Sequence, residues 1–475
     1  MKRLSADYEV NVSMLDRLLR VEDNFDIIKK PLAVGHDELT FYYIDGFIKD
    51  AIMSKLMLSF VSLKGIGKKS PDAAKNFIES CAAYVETDLC ESVDTMVQMV
   101  MSGAALVLGS SFEDKAIIID ARTYPARSIG EPQNDRVMLG ARDGFVESLI
   151  FNTALIRRRI RDTGLTMKHF TVGERSKTDV VLCYIDGLAD SEYVKSLSDK
   201  LNSIKTDALT LGHQSLSECL IRTRWYNPFP KIRTTERPDT AAAQVLEGSV
   251  MIIIDNSPEV MILPTTIFEF MQETNDYYFP PLTGTFLRLV RQVIMWLTMF
   301  LTPVWYLMAK NPEDVPLWLH FSLPEETGKI PILAQLLLVE FVIDGLRMAS
   351  MNTPDMLSNS LSVVGGLILG DFAIQIGWLI PEVILYMAFV SIANFSQRNY
   401  QLGYAFKFMR IILLALVALF DLYGLLFGIA LVITLIATNK TATGKRSYLY
   451  PLIPFSPKGL AALFFRVKKH DVEIK

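Results

Sequence analysis

The chain has 475 residues, half of them hydrophobic, and a formal net charge of −4. Charge this near balance lacks the basic footprint of a nucleic-acid binder, and a mean hydropathy of +0.27 is high for a wholly soluble protein. The length leaves room for more than one domain. The four cysteines (Cys81, Cys90, Cys183, Cys219) include no C-x-x-C pair, and the five histidines no H-E-x-x-H group. Free thiols in a reducing compartment, with no disulfide framework, metal or other cofactor, are therefore expected. The polar, amphipathic start MKRLSADYEVNVSMLDRLL has no apolar core of a signal peptide, which predicts a cytoplasmic first domain.

In chain order, a helical segment is expected over about Asn11–Leu19, within an N-terminal segment 1–29. Glu38–Gly46, ELTFYYIDG, reads as a strand ending in an Asp-Gly turn, followed by a helix to about Val61. Thr178–Gly187, TDVVLCYIDG, repeats that plan, so that YIDG recurs at Tyr43–Gly46 and Tyr184–Gly187. A second match supports the first: the strand–turn–strand patterns after Gly103 and Gly248 are separated by nearly the same stretch of chain. Two matches at nearly one offset predict two similar α/β lobes, 30–140 and 166–280, made by internal duplication. A connecting helix, 141–165, ends in Arg157, Arg158, Arg159 and Arg161. That basic run is either a solvated helix end complementing the dipole or a contact for lipid phosphates or an acidic face of a neighbouring subunit. Trp225–Asp239, WYNPFPKIRTTERPD, has too many prolines for a helix or central strand and reads as an ordered loop of the second lobe. No phosphate loop, nucleophile elbow or carboxylate–histidine grouping appears, so an enzyme is not expected.

After the hinge Tyr277–Pro281 an all-α polytopic membrane domain, 281–438, is predicted. Its apolar segments are Val293–Ala309 (with Pro303), Pro331–Ala349, Leu361–Gly377, Leu379–Phe395 (with Glu382) and Phe408–Ala437. A polar loop, Lys310–Lys329, follows the first. Arg398, Lys407 and Arg410 mark a cytoplasmic loop by the positive-inside rule, as does the basic tail 439–475. The last segment is about 30 residues long, more than the roughly 20 one span needs. Splitting it at Asp421–Gly424 into two short or re-entrant helices returns the tail to the cytoplasm.

The second apolar segment carries Glu340, Asp344 and Arg347. At 100° per residue Asp344 lies about 40° from Glu340 and Arg347 about 20° to the other side, so the three share a face. Charges in hydrocarbon face a bundle interior, water or one another. The face is therefore either the lining or lock of a polar pathway, or a self-satisfied ion pair. In the third segment Ser358, Ser362, Gly366 and Gly370 recur every fourth residue, a stripe that allows close helix packing. Asp371 beside it needs water, a cation or a partner, and a ring of such acids in an oligomer would form a cation-selective constriction.

RDGFVESLIFNTALIRRRI, NPFPKIRTTERPD, DNSPEVMILPTTIFEF and DYYFPPLTGTFLRLVR resemble the A-subunit family of bacterial spore germinant receptors, most nearly its stage V sporulation AF branch. The resemblance runs over nearly the whole chain and is weakest at the N-terminal end. It implies a two-lobed cytoplasmic domain and a membrane domain in the spore inner membrane. It also implies a homo-oligomeric ring of A-type subunits that passes ions during germination. Nutrient sensing in receptor members is attributed to a separate transporter-like subunit. The AF branch is expected to work with a small membrane-protein partner and alongside other germination receptors. The resemblance does not designate pore residues; Glu340, Asp344, Arg347 and Asp371 as an ion pathway rest on the physical reading. A non-conducting receptor or scaffold subunit is the alternative.

Overall fold

The structure, a computed structural model, describes residues 3–81, 86–123, 140–221, 224–273, 275–325, 328–352, 373–395, 399–439 and 448–466. Most of the third expected apolar segment, with Ser358, Ser362, Gly366, Gly370 and Asp371, lies outside the described residues. The chain divides into two compact units. One is built from Met1–Thr223, Ile232–Pro264 and Ala442–Gly444, the other from Arg224–Lys231, Thr265–Thr441 and Lys445–Lys475.

The first unit holds two lobes with one topology. Lobe 1 comprises α1 (Tyr8–Leu19), β1 (Ile27–Val34), β2 (Asp37–Ile44), α2 (Asp50–Val61), α3 (Ala73–Cys81), β3 (Thr87–Cys90), α4 (Val93–Met101), β4 (Ala105–Gly109) and β5 (Ala116–Ile119). Lobe 2 comprises α5 (Leu149–Arg159), β6 (Leu165–Val172), β7 (Thr178–Ile185), α6 (Ser191–Ser203), α7 (His213–Leu220), β8 (Arg233–Thr235), α8 (Pro238–Leu246), β9 (Val250–Ile254) and β10 (Val260–Leu263). Both sheets are antiparallel, ordered β1-β2-β4-β5-β3 and β6-β7-β9-β10-β8. Each is packed on both faces, which is why the central strands read as continuous apolar runs. In β4, Leu106 and Leu108 enter one core while Ala105 and Val107 enter the other, as the two-residue period requires.

The repeat extends to single hydrogen bonds. Asn11 in α1 accepts from Ser5 N at 2.8 Å and donates to Ser5 O at 2.7 Å. Asn152, at the same offset that relates the two YIDG turns, accepts from Val146 N at 2.8 Å and donates to Val146 O. The helix N-caps Asp7 and Ser148 obey that offset too. Thus α1 and α5 are the same first element of two repeats, where the sequence suggested an N-terminal segment and a connector. The YIDG turns keep matching backbones, with φ of 77° at Gly46 and 79° at Gly187, a region that favours glycine.

The basic run of α5 is only in part a solvated helix end. Arg158 is exposed, but Arg157 is fully buried. Its Nε and Nη2 each donate to Asp26 at 2.9 Å, and Nη1 donates to Leu165 O at 3.0 Å. Asn24 accepts from Met167 N at 2.8 Å beside it. Arg159 pairs with Asp143 at 2.6 Å. Of the described cysteines, Cys90, Cys183 and Cys219 are free, and burial pushes the Cys183 thiol up to about 12. The proline-rich stretch also differs from expectation. Arg233–Thr235 is an edge strand and Pro238 opens α8 at its first turn, where proline is tolerated. Its first part, Arg224–Lys231, belongs to the second unit.

The second unit is helical: α9 (Pro281–Lys310), α10 (Ile332–Asn352), α11 (Pro381–Phe395), α12 (Tyr400–Ala437) and α13 (Pro457–Phe464), with a helical turn at Asn275–Tyr278. Among the described residues, α9 and α12 are long and apolar enough to cross a membrane, and α11 is a shorter apolar helix. Pro303 lies inside α9 without ending it. The loop expected to be merely polar contains a 3-10 turn, Leu317–Ser322, whose Leu317, Trp318 and Phe321 are exposed. It is held by Trp305 Nε1 donating to Ser322 O at 2.8 Å.

The helix α12 does not run straight. Asp421 has φ 51° and ψ −129°, and beyond it the chain doubles back. A methyl on Gly428 would stand 3.3 Å from Leu416 Cδ1, and one on Gly424 would strike Leu416 O. In a straight helix residues 8 and 12 apart are separated by about 12 and 18 Å. At the open end, Phe229 lies 6.1 Å from the Phe406 ring, while Asn227 donates to Leu435 O at 3.1 Å. Tyr448 OH donates to Pro230 O at 2.7 Å, so part of the expected tail is packed as well. Lys310 reaches the bend, 2.6 Å from Asp421 and 3.0 Å from Ala418 O.

Asp421 occupies a backbone region that is essentially glycine's, at a cost of about 1–3 kcal/mol. Its half-exposed bridge to Lys310 returns at most about 1 kcal/mol. Asp421→Gly should therefore melt at or above the wild-type temperature in detergent, and Asp421→Ala about 1 kcal/mol below the glycine variant. An alanine variant more stable than the glycine variant would show that this backbone is not strained.

Candidate functional site

The three charged residues that share a face of α10 meet a matching row on the first limb of α12. There Tyr404, Lys407 and Arg410 recur every third residue and so share a face of their own. The helices run antiparallel, so the rows pair in reverse order. The Arg347 guanidinium lies 5.5 Å from the Tyr404 ring centre, Asp344 pairs with Lys407, and Glu340 takes Lys407 at 3.1 Å and Arg410 Nη2 at 2.7 Å on both oxygens. Arg410 Nη1 donates to Thr298 O of α9 at 2.8 Å, which ties in a third helix. Pro303, lacking an N–H, leaves the neighbouring carbonyl of Met299 without its helical donor and loosens α9 at this level.

The network is deep. Glu340, Lys407 and Arg410 are 7, 5 and 1 % exposed. Isolated charges at such depth cost several kcal/mol each, and mutual attraction with good hydrogen bonds offsets that cost. The face thus joins helices, with both carboxylates already occupied by cations. This overturns the use of Lys407 and Arg410 as marks of a cytoplasmic loop: both are buried inside a helix. They are also the residues that sequence reasoning missed as site members, although their three-residue spacing on an apolar segment carried the signal. Asp371 lies outside the described residues.

A second ionic cluster stands at the start of α9. Asp276, fully buried, accepts from Arg291 Nη1 at 2.7 Å, and Glu273 accepts from Arg291 Nη2 at 2.6 Å. Arg288 lies over the Tyr277 ring at 4.7 Å, and Arg466 donates to Tyr277 O at 2.6 Å. Among the described residues no group of three or more histidine, cysteine or carboxylate side chains could hold a metal ion.

Apolar helices joined by buried ion pairs, in one chain with a duplicated α/β unit, define the class by architecture. The family model for the Bacillus/Clostridium GerA spore germination protein matches residues 14–474. The chain belongs to that family. It is 39% identical to stage V sporulation protein AF of Bacillus subtilis (strain 168) over 455 residues, covering 95% of this chain and 91% of that one. It is 30% identical to the uncharacterized membrane protein YfkQ of the same organism (98 and 89% covered). It is also 28% identical to that organism's spore germination protein KA (94 and 82%). A solved structure, the N-terminal domain of the A subunit of the Bacillus megaterium spore germinant receptor GerK3, aligns with a TM-score of 0.39 at 21% identity, over 55% of this chain and 96% of that one.

Proposed function

We propose that this chain is an A-type subunit of a homo-oligomeric channel in the spore inner membrane, releasing cations during germination. The observation that carries this reading is the buried ionic cluster of Glu340, Lys407 and Arg410, which joins α10 to α12 and reaches a backbone carbonyl of α9. Polar machinery at that depth is costly and is characteristic of ion pathways and their locks. Glu340 and Asp344, neutralised by Arg410 and Lys407, act in this reading as the lock that holds α10 against the α12 hairpin. Asp371, in the segment that carries the small-residue stripe Ser358, Ser362, Gly366 and Gly370, supplies in this reading the cation-facing carboxylate.

The second unit is read as a polytopic membrane domain, with the two α/β lobes on the cytoplasmic side. Exposed aromatics support a bilayer fit: Trp225, Tyr226 and Tyr400 at the open end of the hairpin, Trp318, Phe321 and Tyr423 toward its bend. Tyr400–Phe420 spans about 31 Å, close to the thickness of a hydrocarbon core. Membrane lipid, further copies of the chain, a small membrane-protein partner and other germination receptors are the partners this function requires.

Conductance of the purified protein in a planar bilayer tests the reading. Asp371→Ala should alter cation flux while assembly persists. Unchanged flux in assembled protein would remove Asp371 from the pathway. A silent bilayer from assembled wild-type protein would favour the alternative, a non-conducting scaffold that couples other germination proteins.

A further inference from the structure

Lobe 2 carries an uncovered twin of a surface that is covered on lobe 1. On lobe 1 the Gly46 turn, Phe47 and the end of α4 at Met101 form an apolar seat occupied by α5. A methyl on Gly46 would stand 3.0 Å from Ile150 Cγ2 and 3.3 Å from Ala154 Cβ. Ala154 shares one core with Phe47 and Met101, which are 0 and 1 % exposed. The repeat places Gly187, Leu188 and Leu246 at the same positions on lobe 2. There Leu188 and Leu246 are 49 and 52 % exposed, and a methyl on Gly187 would meet nothing within 4 Å. Leu188 Cγ lies 3.6 Å from the methyl position of Gly248, the counterpart of Gly103, so the patch is continuous.

The shape of the seat specifies its occupant. It receives the second face of a helix whose first face already covers a sheet, and α1 is the repeat of α5. Val12, Leu15 and Leu19 of α1 are buried in lobe 1, while Glu9 and Ser13, the counterparts of the seated Ile150 and Ala154, are exposed; Val10 corresponds to Phe151, which is itself 49 % exposed and stays outside the seat. Ser13 stands at the position of Ala154, small enough for the same close approach. Glu9 replaces Ile150, which makes this contact more polar than the internal one, as contacts between separate chains are relative to interiors. Within one chain Arg20 reaches Asp186 at 3.1 Å beside the seat and leaves Leu188 and Leu246 uncovered.

We propose that α1 of one copy docks, by the Glu9–Ser13 face that corresponds to Ile150–Ala154 of α5, on the Gly187–Leu188–Leu246 patch of a second copy. The contact is head-to-tail, so repeating it yields a closed ring or an open chain of subunits. It rests on the oligomeric reading above and names the surface that reading needs.

Full-length protein in lipid nanodiscs, with Cys81 and Cys219 replaced by serine, tests this by disulfide cross-linking. Ser13→Cys chains mixed with Leu188→Cys chains should give a covalent dimer, and the double variant a ladder of higher species. An internal cross-link at monomer mass in the double variant would overturn the proposal in favour of closure within one chain. Oligomeric protein with neither cross-link would overturn the proposed surface and leave the oligomer standing. Protein that is monomeric in the membrane would overturn both.

Discussion

Replacing Glu340 with alanine is expected to destabilise the helical unit by about 3–5 kcal/mol, the usual cost of removing one partner from a buried ion pair. The loss exceeds that of the contact itself. Arg410, 1 % exposed, would keep its charge with Thr298 O as its remaining described acceptor, and Lys407 would keep only Asp344. The double variant Glu340→Met/Arg410→Met removes both charges, fills similar volume and should recover most of the loss. Thermal unfolding in detergent, followed by the fluorescence of Trp305 near the same helices, reads both variants. If the double variant lost as much as the two single variants added together, the pair would be energetically uncoupled and the lock would have no basis. If Glu340→Ala folds well enough to be reconstituted, the lock reading further predicts conductance above wild type in the bilayer.

The half of this site that was legible in the sequence was the half that lies on one helix. Glu340, Asp344 and Arg347 announce a shared face through spacing alone. Their partners lie on a helix far along the chain, and no periodicity within α10 points to them. Lys407 and Arg410 carried a helical spacing of their own, but a simpler explanation was to hand, since basic residues beside an apolar segment usually mark its cytoplasmic end. The bend in α12 was legible because an apolar run of about 30 residues exceeds a bilayer crossing, and Asp421 and Gly424 interrupt it. Its tightness was not, because that depends on Gly424 and Gly428 meeting Leu416 and Leu413 of the other limb.

The duplicated lobes show the same division. YIDG survives in both repeats because a turn with strongly positive φ restricts the residue there to glycine. The equivalence of α1 and α5 was hidden because the two helices share little beyond Asn11 and Asn152, whose side chains cap the preceding loop. They diverged for a physical reason: α5 is buried on two faces and α1 on one. The proline-rich stretch was misread as a single loop because nothing local says that Asn227 and Phe229 pack against the two limbs of a helix near the other end of the chain.

Arg157 illustrates how far burial can overturn a sound local argument, and it carries the second large effect. Arginine at a helix C-terminus complements the dipole and needs no other explanation, yet this side chain is fully buried, with four described hydrogen bonds reaching Asp26, Asn24 and Leu165 O. Arg157→Ala is expected to cost about 3–5 kcal/mol, because Asp26 would remain buried with its charge unpaired. Arg157→Lys should recover little, since an ammonium cannot reproduce the two-pronged contact with Asp26 while also reaching Leu165 O. The distinguishing measurement is hydrogen exchange of the backbone amides on either side of the junction. Loss of protection at Asp45 and Met167, which bond to Asp26 O and Asn24 Oδ1, should precede loss in the central strands β4 and β9. Simultaneous loss across both sheets would mean that Arg157 supports the lobes themselves, and the junction would then be no separate element of the fold.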